Sequence, residues 1–511
     1  MSHRFSNLVI RASAGTGKTF QLSNRFIGLA AAGEPLDAIL ASTFTRKAAG
    51  EILDRVLTRL AGAALDAAKL AELNQHVQGE PITRDACLRL VAGMVRRLHR
   101  LRVGTLDSFF VQIAQSFGLE LGLPPGWQIV DEIDDAAMRA EAVRRVVARE
   151  STGDASELMH LLHKGQASRS VAEEISMLVK DLYGAYVDAP AAAWQTVPRR
   201  KPLAPAELQA AIDAAAAVNL GADKRMISAR DGDLDRAGVE DWDAFVAKGL
   251  AAKILADEPE YYRKPIPDDL LAAYRPLVEQ AKAAILGRLA NQTEGTYRLL
   301  DRFDAVYRRL KIARQAIRFD DVTRMLAGAD LAGRLDEVVY RLDAPVAHLL
   351  LDEFQDTSPQ QWRVLRPFAR ESVRADARRS FFCVGDVKQA IYGWRGGVAE
   401  IFDTLDNELT DLAREELTRS FRSAPAVIDV VNRVFQGIGA NPALAKHPEA
   451  AQAWARRFTE HSTAREKLPG HCRMVAAPRA PEGQPQANVT LDHAASLVKR
   501  LHEESPACSI G

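Results

Sequence analysis

The chain has 511 residues, too many for one hydrophobic core, and is expected to divide into two to four domains. Its 67 Lys and Arg balance 67 Asp and Glu, and 47% of residues are apolar, which excludes a polyanion-coating or membrane-embedded protein but leaves room for a local nucleic-acid groove. Cys87, Cys383, Cys472 and Cys508 form no C-x₂-C pair, no run of about 18 apolar residues occurs, and residues 1–6 leave no room for a signal peptide; a reducing cytoplasmic setting without zinc, disulfide or membrane span is expected.

The first apolar run, Leu8-Val9-Ile10, reads as a buried strand. Ala12-Ser13-Ala14-Gly15-Thr16-Gly17-Lys18-Thr19 follows it and leads into a helical pattern. A strand, a Gly-rich turn and a helix opening on Lys-Thr form a phosphate cradle. Its backbone N–H groups face phosphate oxygens, Lys18 brings charge to the β/γ-phosphates, and the Thr19 hydroxyl can hold Mg²⁺.

Ile39–Phe44 is the next buried run, and Thr43, Phe44, Thr45 and Lys47 cluster at its end. Hydroxyls and a cation suit phosphates and Phe44 suits a base, although such a cluster can equally be a helix N-cap over a buried ring. Val103–Leu106 repeats the arrangement with Ser108 and Phe109. Arg96, Arg97, Arg100 and Arg102 form a basic cluster of the kind found on solvated helix faces.

More than two hundred residues then separate this strand from the next. The gap, about 126–330, is Ala-rich, and Leu300, Phe303, Val306, Tyr307 and Leu310 fall on one helix face. An inserted helical domain is expected, with Pro-rich loops near 188–205 and 258–267. His348–Leu351 and Phe381–Val384 resume the buried strands, which gives a parallel α/β sheet with its sites at the strand C-termini.

The first of these delivers Asp352 and Glu353, suited to Mg²⁺ binding and to polarising an attacking water. The second ends at Gly385 and is followed by Gln389, placed to contact a γ-phosphate, then by Tyr392, Trp394 and Arg395. These last three fit base stacking and a phosphate contact; Tyr392 and Trp394 could also be core aromatics. In Leu417–Ser423, Arg422 follows a strand-like run and could reach a γ-phosphate. His471–Ala476 reads as a further strand, with a Pro/Gly/Gln-rich loop after it.

In order and spacing these segments resemble the UvrD/Rep-type superfamily 1 DNA helicases, most closely the RecB/AddA branch. Ala12–Thr19 matches motif I, Thr43–Ala49 motif Ia, Leu351–Thr357 motif II, Gly385–Gly397 motif III, and Ser420–Ser423 motif IV. Thr105–Phe109 is similar to the Thr-x-His-Ser-Phe motif with Asp107 in the His position, and Phe421 stands where Tyr is usual. Phe319-Asp320-Asp321 matches a further family feature, while residues 1–11 carry no counterpart of the family's adenine-contacting Gln.

The resemblance implies an ATP- and Mg²⁺-dependent 3′→5′ translocase on single-stranded DNA and duplex ends, with a possible helicase/nuclease partner subunit. It implies a RecA-like domain 1A over 1–125 and 330–415, a helical domain 1B over 126–329, and the start of domain 2A over 416–511. Motifs V and VI and a nuclease domain are absent, so the chain is expected to be a motor portion, weak by itself. A non-catalytic ATP-gated scaffold is the second reading. A P-loop signalling ATPase is the third, and it leaves Tyr392–Arg395 unexplained.

Overall fold

The computed structural model describes residues 5–148, 171–258, 260–374, 378–390, 400–507 and 509–510. It divides into two compact units, Met1–Leu121 with Phe319–Gly511, and Gly122–Arg318.

The first unit opens with β1 (Asn7–Ala12), buried except at Arg11, and α1 (Lys18–Ala31). β2 (Ile39–Thr43) is buried throughout and leads into α2 (Arg46–Leu65), whose N-terminus is capped by Thr45 accepting from the Ala48 N–H at 3.1 Å. After α3 (Arg84–Arg96) come β3 (Arg102–Thr105) and α4 (Leu106–Ser116), where Thr105 caps in the same way at 3.2 Å.

The second unit is helical. α5 (Glu132–Val147) and α6 (Val171–Asp188) share a core with one part of the long helix α10, and α7 (Pro205–Ala217), α8 (Lys224–Gly238) and α9 (Gly249–Leu255) share another with its earlier part. α10 runs from Asp268 to Ala313. The expected stripe is real: Leu300, Phe303, Val306, Tyr307 and Leu310 are all buried. The unit's two ends meet where β4 (Gln128–Ile129) pairs in parallel with β7 (Ala316–Ile317). The Pro-rich stretch at 258–267, expected as plain loop, holds a small antiparallel hairpin of β5 (Glu260–Tyr261) and β6 (Lys264–Pro265).

The chain then returns to the first unit. β8 (His348–Leu351) is followed by α11 (Pro359–Ser372), which starts at a capping box between Ser358 and Gln361. β9 (Ser380–Gly385), α12 (Ile401–Glu408) and β10 (Leu412–Leu417) come next, and then β11 (Arg419–Ser420), α13 (Pro425–Gln436), α14 (Pro448–Arg457), β12 (Ser462–Thr463) and α15 (Gln486–Glu504).

Six strands form one sheet in the order β10-β1-β9-β8-β2-β3, and every pairing in it is parallel. Parallel strands need crossovers, and helices supply them, so both faces are covered and the strands read as unbroken apolar runs. The two edge strands are the exceptions: β3, of sequence RVGT, is only half-buried along its length, and β10 departs further. It is an edge strand of sequence LAREEL, bonded on one side to β1, and it spans 415/416, where a new domain is expected. The strand expected at His471–Ala476 does not form, since the segment has no ladder partner. From 466 to 507 no described side chain is buried. Among the described residues no helix is long and apolar enough to cross a membrane.

Candidate nucleotide site

The central strands β1, β8 and β9 end side by side, with Arg11 in register with Gly385 and Leu351 with Cys383. Three loops therefore start from one edge of the sheet, which is where parallel α/β folds place their ligands.

The loop after β1 turns back at once: Thr16 donates to the Ser13 carbonyl through its N–H at 3.2 Å and its hydroxyl at 2.7 Å. Gly15 and Gly17 take φ of +75° and +98°, which side-chain-bearing residues rarely adopt. Ala14 is exposed, whereas Ala12, Ser13, Thr16 and Lys18 are buried. The Lys18 ammonium lies 2.6 Å from Glu353 Oε2 and donates to Gln389 Oε1 at 3.3 Å. Thr19 Oγ1 donates to Asp352 Oδ2 at 3.4 Å. Lys18 and Thr19 of the loop thus meet the acids and the amide, which lie more than three hundred residues further along the chain.

The acids are held under electrostatic tension. Asp352 is buried where the β8 ladder ends, its N–H donating to the Ser42 carbonyl at 2.8 Å. Burial, and then the charge of Glu353, push its carboxyl up to about 6. Asp356 is pushed to about 6 by the same two causes. Glu353 takes a left-handed backbone, φ +51° and ψ +42°, a strained conformation for this residue that recurs at functional sites.

Gln355 links the pieces. Its amide donates to Glu353 Oε2 at 2.8 Å and to Asp356 Oδ2 at 3.2 Å, and its carbonyl accepts from the Asp386 N–H at 2.9 Å. Any side chain at Gly385 would overlap Gln355 Oε1 and the Phe402 ring, so the glycine makes room for the link. Asp386 in turn accepts from Gln389 Nε2 at 2.7 Å. Gln355 and Asp356 fall within the Leu351–Thr357 match and Asp386 within Gly385–Gly397, but sequence reasoning assigns none of the three a role.

Mg²⁺ fits the donor set. Thr19 and Asp352 offer hard oxygens, and a cation would relieve the buried Asp352 charge. One hydroxyl and one carboxylate suit an ion that keeps waters and takes phosphate oxygens. Arg422 approaches from the segment after β10. The Phe421 N–H donates to the Gly15 carbonyl at 2.8 Å, and a Cβ on Gly15 would lie 2.8 Å from Arg422 Cβ. The Arg422 side chain itself is exposed.

A sequence profile described as the UvrD/REP helicase N-terminal domain matches residues 1–410. The chain belongs to the UvrD/REP helicase family. Three proteins named as ATP-dependent helicase/nuclease subunits are similar to it. The one from Moorella thermoacetica is 27% identical over 502 residues, covering 85% of this chain and 34% of the relative. Those from Pelotomaculum thermopropionicum and Levilactobacillus brevis are 25% and 26% identical, covering 86% and 84% of this chain and 38% and 37% of themselves. This UvrD/REP chain therefore spans little more than a third of the length of these relatives.

The residues expected to touch DNA in this UvrD/REP chain are placed unevenly. Lys47 is exposed in the first turn of α2, Phe44 is half-buried, and Thr45 is exposed but serves as a helix cap. Ser108 is exposed, its hydroxyl donating to the Thr105 carbonyl at 2.6 Å. Two expectations need correction. Phe109 is 2% exposed and meets Phe368 edge to face at 5.5 Å, so its ring is core and offers no face to a base. Thr43 is 1% exposed and sealed at the end of β2. Tyr392, Trp394 and Arg395 lie outside the described residues.

Proposed function

We propose that this chain carries the ATP-hydrolysing motor of a cytoplasmic DNA helicase that moves 3′→5′ on single-stranded DNA in the processing of duplex ends, together with a helicase/nuclease partner. The observation that carries the reading is the meeting of Lys18, Thr19, Asp352, Glu353 and Gln389 at one sheet edge. The proposed division of labour keeps a RecA-like 1A over 1–125 and 330–415, a helical 1B over 126–329, and 2A from 416.

The chemistry follows from the pairings. In this structure Glu353 is the counter-ion of Lys18. A triphosphate entering the loop competes for the same ammonium, and its γ-phosphate is the stronger partner. Lys18 then turns to phosphate, and the released Glu353 carboxylate, still held by Gln355, can take a proton from water. Gln389 senses the same event through its own bond to Lys18. The Arg422 guanidinium is suited to the charge that spreads over the transferred oxygens. Bound Mg²⁺, held by Thr19 and Asp352, would supply charge neutralisation at the β/γ-phosphates.

The test is ATP hydrolysis with and without single-stranded DNA, in the wild type, Lys18→Ala and Glu353→Gln. Removing Lys18 should cost about 2–5 kcal/mol of ATP affinity, as for loss of a desolvated charge pair. Glu353→Gln should bind ATP but turn over about 10²–10⁴-fold more slowly, as for loss of a general base. Turnover that ignores DNA would sink the motor reading, and displacement of oligonucleotides from 5′-tailed rather than 3′-tailed duplexes would reverse the polarity.

A further inference from the structure

Ser13 is the second residue of the phosphate loop, and each of its polar groups is engaged. Its N–H donates to the Leu417 carbonyl at 3.2 Å, and its carbonyl accepts the two bonds from Thr16. Its hydroxyl lies 2.9 Å from Lys388 Nζ and 2.5 Å from His461 Nε2. Three distant stretches of chain thus converge on one serine.

His461 is the least expected of them, 448 positions further along the chain. It is 9% exposed and fixed from two directions. Asn432 on α13 clamps its backbone, donating to the His461 carbonyl at 2.9 Å and accepting from the His461 N–H at 2.9 Å. The imidazole stacks on Phe458 with ring centres 5.0 Å apart and planes 11° from parallel, and Phe458 stacks on Phe435 at 5.1 Å and 10°. The Lys388 ammonium sits 5.5 Å from the Phe458 ring centre, closing the cluster. A buried histidine held by an amide clamp and a two-ring stack has little freedom left, so the aim of Nε2 at Ser13 is imposed by its surroundings.

The imidazole tautomer decides which way the Ser13–His461 bond runs, and one sense has the serine donating. An ammonium only donates, so Ser13 Oγ accepts from Lys388 and its own proton is free to point at Nε2. That needs a neutral imidazole with Nε2 bare. Burial, and next the Lys388 charge, lower the His461 pKa and favour that form against the opposite pull of the Thr459 backbone, Asp386 and Glu416.

We infer that His461 is a positioning residue for the phosphate loop: through Ser13 it holds the loop's first turn ready for the triphosphate, and so makes ATP affinity depend on the segment that follows β10. The inference rests on the nucleotide reading of residues 12–19. Its physical basis is preorganisation. The loop carries two glycines, and a loop left free must be ordered when ATP arrives, at the expense of affinity. Ser13 is held by the Ser13–His461 bond, the Leu417 carbonyl and Lys388, and Gly15 by the Phe421 N–H.

The experiment titrates a fluorescent ATP analogue with Mg²⁺ against the 511-residue chain and five variants: Ser13→Ala, His461→Ala, the double variant, His461→Gln and Lys18→Ala. Ser13→Ala and His461→Ala should each raise the Kd about 5- to 30-fold. The double variant should be no more than twofold weaker than the weaker single one, because both remove the same bond. His461→Gln, whose amide can still meet the Ser13 hydroxyl, should recover to within about threefold of wild type, which a merely space-filling role would not produce. Both single variants within twofold of wild type, alongside a Lys18→Ala chain that has lost binding, overturns the inference and leaves the nucleotide site standing. Multiplying effects in the double variant also overturn it. A Lys18→Ala chain that binds like wild type removes the nucleotide reading and this inference together. Should circular dichroism show His461→Ala unfolded, Ser13→Ala decides, since it removes one oxygen from a small side chain.

Discussion

Gln355 makes three bonds with one amide, and each end serves a different motif. Gln355→Leu keeps the volume and removes all three, leaving the Asp386 N–H buried without its acceptor. Glu353 would then lose the contact that aims it when Lys18 turns away. Turnover should fall at least tenfold while the Kd for ATP stays within about threefold, as for a residue acting through the base rather than on the ground state. Steady-state kinetics beside equilibrium binding would check this; a pure loss of affinity would mean that Gln355 supports the loop instead. Asp356 offers a second test at this scale. Its pKa is about 6 in the fold against 3.8 for the free side chain. A raised pKa gives stability that is present below the lower value and lost as pH rises through the higher one. Asp356 therefore works against the fold at neutral pH. Asp356→Asn should be more stable than wild type by about 1 kcal/mol at pH 7.5, keep about half of that advantage at pH 5 and lose it below the free value of 3.8, a modest value because the site is partly screened. Urea unfolding at the two pH values reads it directly, and an advantage independent of pH would show that packing, not charge, is responsible.

At the scale of elements, what was legible follows from burial. β1, β2, β8 and β9 are inner strands covered on both faces, so their sequences are apolar runs that announce themselves. β10 is an edge strand, largely exposed, and its charged sequence carries no strand signal at all. Its pairing is dictated by β1, a partner from the opposite end of the chain. His471–Ala476 errs the other way, with strand-like composition and no neighbour to bond. The site divides similarly. Lys18, Thr19, Asp352, Glu353 and Gln389 sit at local motifs; Gln355 lies within one too, but its role, like that of His461 outside every motif, comes from contacts that only the closed fold creates. Phe109 illustrates the ambiguity of aromatics after a strand, because the same Thr-x-x-Ser-Phe spelling serves a helix cap over a core ring. The segment 391–399 holds the remaining stacking candidates. Trp394→Ala should weaken single-stranded DNA binding by about 1–3 kcal/mol, almost equally for all sequences, as for loss of one base stack. Fluorescence anisotropy with several oligonucleotides checks it, and a strong sequence bias in the loss would argue for hydrogen-bonded readout instead.

For the molecule as a whole, the arrangement of the sheet has a consequence for how the protein is made. Among the strands of this sheet β1 is synthesised before the others, yet both its neighbours, β9 and β10, come from residues 380–417. Only β2 and β3 can pair early. At about 5–20 residues per second, roughly 20–75 s pass between the emergence of the phosphate-loop strand and that of its partners. Throughout that interval Leu8, Val9 and Ile10 have no ladder to join, and the helical unit is produced in the meantime. The apolar β1 segment is thus an aggregation hazard on the ribosome, one that a chaperone would have to shield. Nascent chains stalled after residue 400 should be cleaved by protease near residues 5–20, and chains stalled beyond about 460 should be protected there. Early protection would mean that β1 finds a temporary partner. A strand order that puts the proposed ATP site at the centre of the sheet makes the earliest strand of that sheet one of the last to find its neighbours.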